Sequence, residues 1–412
     1  MRRALEAHGW RVTAASTANQ AVVSVPTFQG SSAIFSAVEA DYGWDRAVTA
    51  GAASAGSSIA MLIGPIQGAL TDRIGSARMV LVGLLVAAAG LIAFSFLRGP
   101  GLYYGAWVMV SVGVAIGGFT PSIAAVNLWM SHRRATAMSI VLAGSSAGGL
   151  LVPGMAWSIT EFGWRPTVVA AGVIFAVAAP LIAWPMWRKP PDMLRRARKG
   201  AGRMAAVEYD FTPRQALRTR AFWAISGAHT LANLSVSAVQ SQLVLHLQAS
   251  GLSLTTASLV IPIMGAVAFA FQLTGGYIGD KMDKRYPAAV FLLVHAMSIA
   301  ILAFTQSFAV ALVFSVVWGI GFGGRTPILH AMRGDYFGRK HYATIMSLSA
   351  LPMALGMTAM PAVAGRVFDV QGTYKWVFIG LACACALSAW VILFATRPAT
   401  PEESPTAPER AD

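Results

Sequence analysis

Twelve apolar stretches, each long enough to cross a lipid bilayer as a helix, follow one another along this chain and leave little room for anything else. They fall at 12–38, 47–70, 78–97, 102–130, 135–160 and 166–187, then at 221–247, 254–279, 287–305, 308–331, 342–366 and 374–395. Sharing 412 residues among twelve leaves about 34 for each, enough for a spanning helix of roughly 20 residues and a short connection. In lipid every backbone polar group has to be satisfied within its own segment, so these stretches must be helices; a closed barrel would read as alternating segments of about 10 residues. The composition agrees, because 56% apolar against 12% charged residues is the wrong balance for a water-facing surface and argues against a soluble enzyme.

A formal charge of +14 would invite nucleic acid as a partner, but the placement of the charges gives a simpler reading. With the N-terminus inside, 25 of the 31 Lys and Arg residues fall in connections on the cytoplasmic side, 5 in outer loops and one within a span. This predicts a multi-pass protein of the cytoplasmic (inner) membrane, both termini cytoplasmic, with no nucleic-acid partner. Ten of the charges crowd into the one long connection, 188–220, where Arg195, Arg196, Arg198, Lys199 and Arg203 suit anionic lipid headgroups. That connection divides the chain into a first six-helix bundle (1–187) and a second (221–396), with a Pro-, Glu- and Ser-rich tail at 397–412 expected to be disordered. Cys383 and Cys385, both in the last stretch, read as packing residues and support neither a disulfide nor a metal site. No phosphate-cradling loop occurs, and no cofactor is expected. The first stretch follows Arg2, Arg3 and Arg11 and is too long for a signal-peptide core, so it is expected to remain as the first helix.

The two halves repeat each other. Gly68-Ala69-Leu70-Thr71-Asp72-Arg73 recurs as Gly276-Tyr277-Ile278-Gly279-Asp280-Lys281 at an offset of 208, and Gly113, Gly117, Gly118, Thr120 and Pro121 recur as Gly319, Gly323, Gly324, Thr326 and Pro327 at an offset of 206. A basic pair follows each copy, Arg133 with Arg134 and Arg339 with Lys340. Two parallel repeats related by an axis along the membrane normal enclose a cavity at their interface, and rocking one against the other exposes it alternately.

The segment Gly68-Ala69-Leu70-Thr71-Asp72-Arg73-Ile74-Gly75, with Arg78 after it, closely resembles the signature loop of the major facilitator superfamily. Within that superfamily, Tyr42-Gly43-Trp44-Asp45-Arg46, then Trp129, Arg133, Arg134, Ala137, Ala143-Gly144 and Gly148-Gly149, resemble the branch of monocarboxylate porters and oxalate/formate antiporters, as do Gly163-Trp164-Arg165 and Tyr336-Phe337-Gly338-Arg339. The resemblance implies an all-α membrane protein with twelve transmembrane helices in two pseudo-symmetric six-helix bundles, a transporter and not an enzyme. It also implies that Asp72, Arg73 and Arg78 act in a cytoplasmic latch. The chain departs from the branch where the cations that usually bind carboxylate would stand: the eighth helix has no embedded arginine and the eleventh no embedded lysine.

Polar residues inside the spans narrow the search. Thr13, Thr17, Gln20, Ser24, Thr27 and Ser31 are spaced 4, 3, 4, 3, 4 and share one face of the first helix; Ser226, Thr230, Asn233, Ser237 and Gln240 do the same on the seventh. Small hydroxyl residues on such a face can serve close helix packing. The larger amides Gln20, Asn233 and Gln240 are costlier to leave unpaired and are expected, with Thr17, to line the cavity. Arg325 is the one basic residue in the interior of a predicted span, away from its ends, and a charge at the bilayer centre costs about 2.5–3.5 kcal/mol, which marks it as a candidate for holding a carboxylate. The competing reading has it snorkel to headgroups or pair with Asp335. No acidic residue lies in the middle of a span, so a proton, if one is carried, needs another acceptor; His229 and His295 are candidates, against a packing role for each.

Asp72 and Asp280 stand just past helix ends, where they can meet Arg133, Arg134, Arg339 or Lys340, or the positive N-terminus of a neighbouring helix, when the inner side is closed. The expectation is a monomeric secondary transporter of a small organic anion, a mono- or dicarboxylate, moved with a proton or against a counter-anion. Efflux of an amphipathic compound by the same fold, and a non-transporting receptor that uses the 188–220 connection, are the alternatives.

Overall fold

The computed structural model describes residues 2–130, 132–188, 190 and 209–399. Most of the basic 188–220 connection, Arg195 to Arg203 with it, and the tail from residue 400 lie outside the described residues. In chain order the helices of the first half are α1 (Arg2–Ser24), α2 (Ser31–Tyr42), α3 (Arg46–Ile74), α4 (Ser76–Ser95), α5 (Pro100–Gly117), α6 (Phe119–Trp129), α7 (Arg134–Gly149), α8 (Val152–Phe162) and α9 (Trp164–Ala183). Those of the second half are α10 (Pro213–Leu217), α11 (Arg220–Ala249), α12 (Leu254–Ser258), α13 (Val260–Lys281), α14 (Arg285–Ala303), α15 (Phe308–Phe337), α16 (Tyr342–Gln371) and α17 (Lys375–Leu393).

Among the described residues, ten helical rods are long and apolar enough to cross a membrane. Several join two of these helices end to end, such as Pro100–Trp129 and Arg134–Phe162. Helices α3 and α11 are as long, 29 and 30 residues, and carry polar residues along their length, Ser54, Ser57, Ser58 and Gln67 in α3 and His229, Asn233, Gln240 and Gln242 in α11. They flank the interface between the halves, where a polar surface costs less than it would in lipid.

Each half buries its own apolar clusters. Leu84, Leu91, Val126 and Phe175 are at the centre of one in the first half; Leu292, Ile328 and Phe337 hold one in the second. The repeat shows in the partners: α4 lies against α5 and α9 as α14 lies against α15 and α17. Across the halves α3 meets α16 and α13 meets α7.

The repeat is not carried through in detail. The α5–α6 rod breaks at Gly118, and the carbonyls freed there are satisfied by the Nδ2 of Asn19 from α1, 2.8 Å from Gly117 O and 3.3 Å from Gly118 O. Its counterpart α15 runs unbroken through Pro327 to Phe337, six residues past the predicted end of that span. The first rod is broken too: Val25–Gln29 is a π-helical turn, with Pro26 near its start, between α1 and α2.

Candidate functional site

One end of the interface is closed, and it is the end that carries the termini: His8 Nε2 lies 2.9 Å from Pro185 O at the finish of α9, and Tyr336 donates to Ala395 O beyond α17. The repeated Gly-x-x-x-Asp segments do the closing. Gly68 of α3 approaches α16 so closely that a Cβ would stand 2.6 Å from Ala343 O, and Gly276 of α13 approaches α7 so that a Cβ would stand 2.8 Å from Ala135 O. One turn further on, each aspartate caps the facing helix. Asp72 accepts from the backbone N–H of Ala343 (3.0 Å) and Thr344 (2.8 Å) and from the Thr344 hydroxyl (2.5 Å). Asp280 accepts from the N–H of Ala135 (2.9 Å) and Thr136 (2.8 Å). The carboxylates therefore neutralise helix N-termini, the second of the two partners the sequence allowed, and donors that would otherwise be orphaned are satisfied.

The basic residues do other work at this end. Buried Arg134 is hydrogen-bonded and ion-paired to Asp335, tying α7 to α15, and Lys284 reaches the same carboxylate at 2.7 Å. Arg339 Nη1 donates to Leu128 O (3.2 Å), and its backbone N–H donates to Asp210. Arg73 and Arg133 are exposed; Arg78 lies over the Trp187 ring at 5.8 Å. Asp335 is thus occupied by Arg134 and Lys284 and is not a partner of Arg325.

Beyond the closure a cavity of about 410 Å³ opens between the halves. Gly64, one turn from Gly68, lines it and has open space where a Cβ would be. At the opposite end of the molecule hydrogen bonds join elements of the same half, such as Arg165 to Asp41 and His246 to Leu302 O. The walls come from α1, the π-helical turn and α2 (Gln20, Ser24, Thr27, Phe28, Ser31, Phe35), from α3 (Ser57, Met61, Gln67), from α5 and α6 (Trp107, Ser111, Phe119), and from α16 (Met346, Ser347, Met353). Among the described residues its only charged lining residue is Arg333 of α15, accompanied by His330 one turn before and by His229 of α11.

The surroundings of Arg333 define what it can do. It is 2% exposed. Nε donates to Ser349 Oγ (2.8 Å), Nη1 to Leu329 O (2.9 Å) and Nη2 to His229 Nδ1 (3.0 Å). An arginine has five N–H groups, so these bonds leave two, one on each terminal nitrogen. Among the described residues no carboxylate lines the cavity. Removing either partner of a buried ion pair is costly because it leaves a bare charge; here a bare cation is the resting arrangement, with its spare donors beside an opening.

The residues singled out from sequence are distributed unevenly around this site. Gln20 and His229 line the cavity. Gln20 Oε1 is buried with no partner, as is Ser347 Oγ. Thr17 is outside the lining, its hydroxyl donating to Thr13 O, and Asn233 is buried with its Nδ2 donating to His229 O (2.7 Å). Gln240 is exposed and also outside the lining. Arg325 does not face the cavity. It is fully buried within the second half, its Nε 3.0 Å from His295 Nδ1 and its guanidinium 5.2 Å from the Phe322 ring. The sequence placed Arg333 in the connection after a span ending at 331; because α15 continues to Phe337, that side chain is inside the helix and buried. The signal that could have found it is the spacing of His330 and Arg333, three residues apart and so on one helical face.

Comparison with known proteins gives a consistent picture. The description of the Major Facilitator Superfamily matches residues 20–324 and 231–412. The chain is similar to monocarboxylate transporter 13 of Rattus norvegicus, 23% identical over 333 residues that cover 79% of this chain and 75% of that one. It is similar to monocarboxylate transporter 4 of the same organism, 25% identical over 353 residues covering 81% and 72%. MFS transporter asaE of Aspergillus flavus is 22% identical over 330 residues, covering 77% and 71%. Two solved structures share the fold: the E. coli fucose:proton symporter FucP, with a TM-score of 0.74 at 13% identity over 94% of this chain and 98% of that one, and the human organic anion transporter MFSD10, with 0.71 at 16% over 93% and 99%.

Proposed function

The chain belongs to the major facilitator superfamily and is a multi-pass membrane transporter, and on that premise we propose that it moves a small organic anion, a monocarboxylate, across the cytoplasmic membrane by alternating access. The observation that carries this reading is Arg333: a buried guanidinium without a carboxylate partner, at the inner end of a cavity between the halves, with an N–H left on each terminal nitrogen. A planar carboxylate can take both through parallel charge-assisted bonds. One cation faces the cavity, so one carboxylate is matched and a second would be left without a partner. Phe28, Phe35, Trp107 and Phe119 surround the remaining space and suit an apolar body. Gln20 and Ser347 are placed to hydrogen-bond polar substituents.

In this reading the 188–220 connection lies on the cytoplasmic side, between six-helix bundles at 1–187 and 221–396, and the described state is closed to the cytoplasm. Asp72 and Asp280, with the Arg134–Asp335 and Arg339 contacts, hold the latch; these bonds must break for the cavity to open at the other face.

The test is exchange of radiolabelled carboxylates by purified protein in liposomes at equal pH on both sides. Saturable exchange of monocarboxylates is expected, with weaker exchange of dicarboxylates and its loss in Arg333→Ala. Equal exchange by Arg333→Ala, or a preference for neutral sugars, would remove the anion from this site.

A further inference from the structure

Two of the buried histidines near these arginines are already committed. Arginine only donates, so His229 Nδ1, 3.0 Å from Arg333 Nη2, and His295 Nδ1, 3.0 Å from Arg325 Nε, each present a lone pair and keep their proton on Nε2. A second proton on either ring would displace an arginine N–H and set two cations in contact.

His330 is different. It lines the cavity one turn before Arg333, is 6% exposed, and its Nδ1 is buried with no hydrogen-bond partner. The groups around it come from four helices. Its own helix contributes Arg333 and, further back, Arg325, which is engaged with His295. The His229 ring of α11 stands 5.3 Å away edge-on, and the Phe119 ring of α6 stands 5.2 Å away. Tyr342 of α16 donates its hydroxyl to the backbone carbonyl of His330 (3.1 Å), which leaves the imidazole untouched. No carboxylate is among these groups.

With the cavity empty, His330 stands one turn from the guanidinium of Arg333, whose charge no carboxylate among the described lining residues offsets. A carboxylate seated on Arg333 cancels that positive charge and offers an oxygen to the N–H that protonation creates. Anion and proton therefore favour each other's binding, and by linkage the coupling is reciprocal.

We propose that His330 is the proton-binding site of this transporter: its Nδ1 lone pair takes one proton from water as one carboxylate binds Arg333, and both are released together at the other face. The inference rests on the anion reading above and adds the atom that accepts the proton. Neither His229 nor His295 carries the proton in this scheme.

Pyruvate is a suitable probe, because its strong acidity keeps it ionised and slow to cross lipid unaided. Liposomes bearing wild-type protein, His330→Gln or His295→Gln are assayed twice: for labelled pyruvate exchange at equal pH, and for accumulation against an imposed pH gradient, alkaline inside. Wild type should exchange and should accumulate about tenfold per pH unit, the limit for one proton per anion. His330→Gln should lose accumulation, its ratio falling to one, and whatever exchange it retains should no longer respond to the pH gradient. His295→Gln, which lies outside the cavity beside Arg325, should still accumulate pyruvate.

Gradient-driven accumulation by His330→Gln equal to wild type would overturn the proposal. So would wild-type exchange without any accumulation, an outcome that leaves the anion reading standing. Absence of wild-type exchange for every carboxylate tested would sink that reading and the proton site with it. Should His330→Gln lose exchange as well, a pH dye decides with detergent-solubilised protein: proton uptake on adding pyruvate is required of wild type and His295→Gln, and uptake by His330→Gln would refute the assignment.

Discussion

Arg325 and Arg333 lie two turns apart on the same helix, both buried, both donating at 3.0 Å to the Nδ1 of a histidine on another helix. They differ in what surrounds that pair. Around Arg325 the second half is filled by Phe322, Trp318 and His295, and its two terminal nitrogens face no partner and no opening. Arg333 has its nitrogens tied to Ser349, Leu329 and His229, and its remaining donors border a cavity of about 410 Å³. A buried charge without an acid is thus not by itself a binding site. It becomes one where a solute can reach it and where the side chain is held in a fixed orientation before the solute arrives.

The largest expected effect tests this difference directly. Arg333→Ala should lower carboxylate exchange by more than about 100-fold, since a charge-assisted bidentate pair in a dry site contributes at least about 3 kcal/mol. The protein should still elute as a monodisperse species, because the replaced side chain bonds within its own half. Exchange at wild-type level would mean that Arg333, like Arg325, is a structural cation.

Arg333 is the residue that local pattern in the chain does not reveal. The apolar stretches, the repeat and the capping aspartates Asp72 and Asp280 are visible there because each rests on such a pattern: apolar length, a matched Gly-x-x-x-Asp, a basic pair at constant offset. Gln20 is visible because period 3.6 places it on the polar face of the first helix, and His229 because it is an ionisable residue within a span. Arg333 is hidden by a boundary. Hydropathy falls after Met332, whereas α15 continues for another turn because its end is covered by the first half, with Asn127 Nδ2 reaching Gly338 O at 3.3 Å. The failure at Gln240 has another cause. The stripes on the first and seventh helices match in spacing, but the cavity hugs α1 while α11 turns its stripe to α16, where Ser237 donates to Met357 O at 2.6 Å. A repeat in sequence guarantees equivalent placement in the fold, not equivalent exposure to the cavity.

The latch gives the second effect, about fivefold. Asp72→Asn and Asp280→Asn each weaken a charge-assisted cap worth about 1 kcal/mol in the state described here, which amounts to a fivefold shift in the balance between the two faces. Turnover in exchange should fall by that factor with the half-saturating concentration unchanged. A pure loss of affinity would place these residues at the solute instead of at the closure.

A smaller contrast sits on α3. Gly68→Ala sets a Cβ 2.6 Å from Ala343 O and must push α16 away, whereas Gly64→Ala meets open space. Gly68→Ala should therefore raise the reactivity of a cysteine engineered near the closed end by about two- to threefold, a shift of under 1 kcal/mol. Gly64→Ala should leave that reactivity as it is. Equal effects would show that the helices do not meet at Gly68 in the membrane.

The smallest effect is expected from Arg325→Met, and it is the change that most sharply separates the two arginines. Methionine keeps much of the volume, removes a buried cation whose terminal nitrogens have no partners, and leaves His295 Nδ1 without its donor. Replacing a buried charge by an apolar side chain of similar size is often close to neutral. Exchange per folded molecule should stay within about twofold of wild type, with unchanged affinity for the carboxylate. If Arg325→Met instead abolished exchange in a protein of normal thermal stability, the guanidinium would have to face the solute in some step of the cycle, and the division between a structural and a binding arginine would not survive.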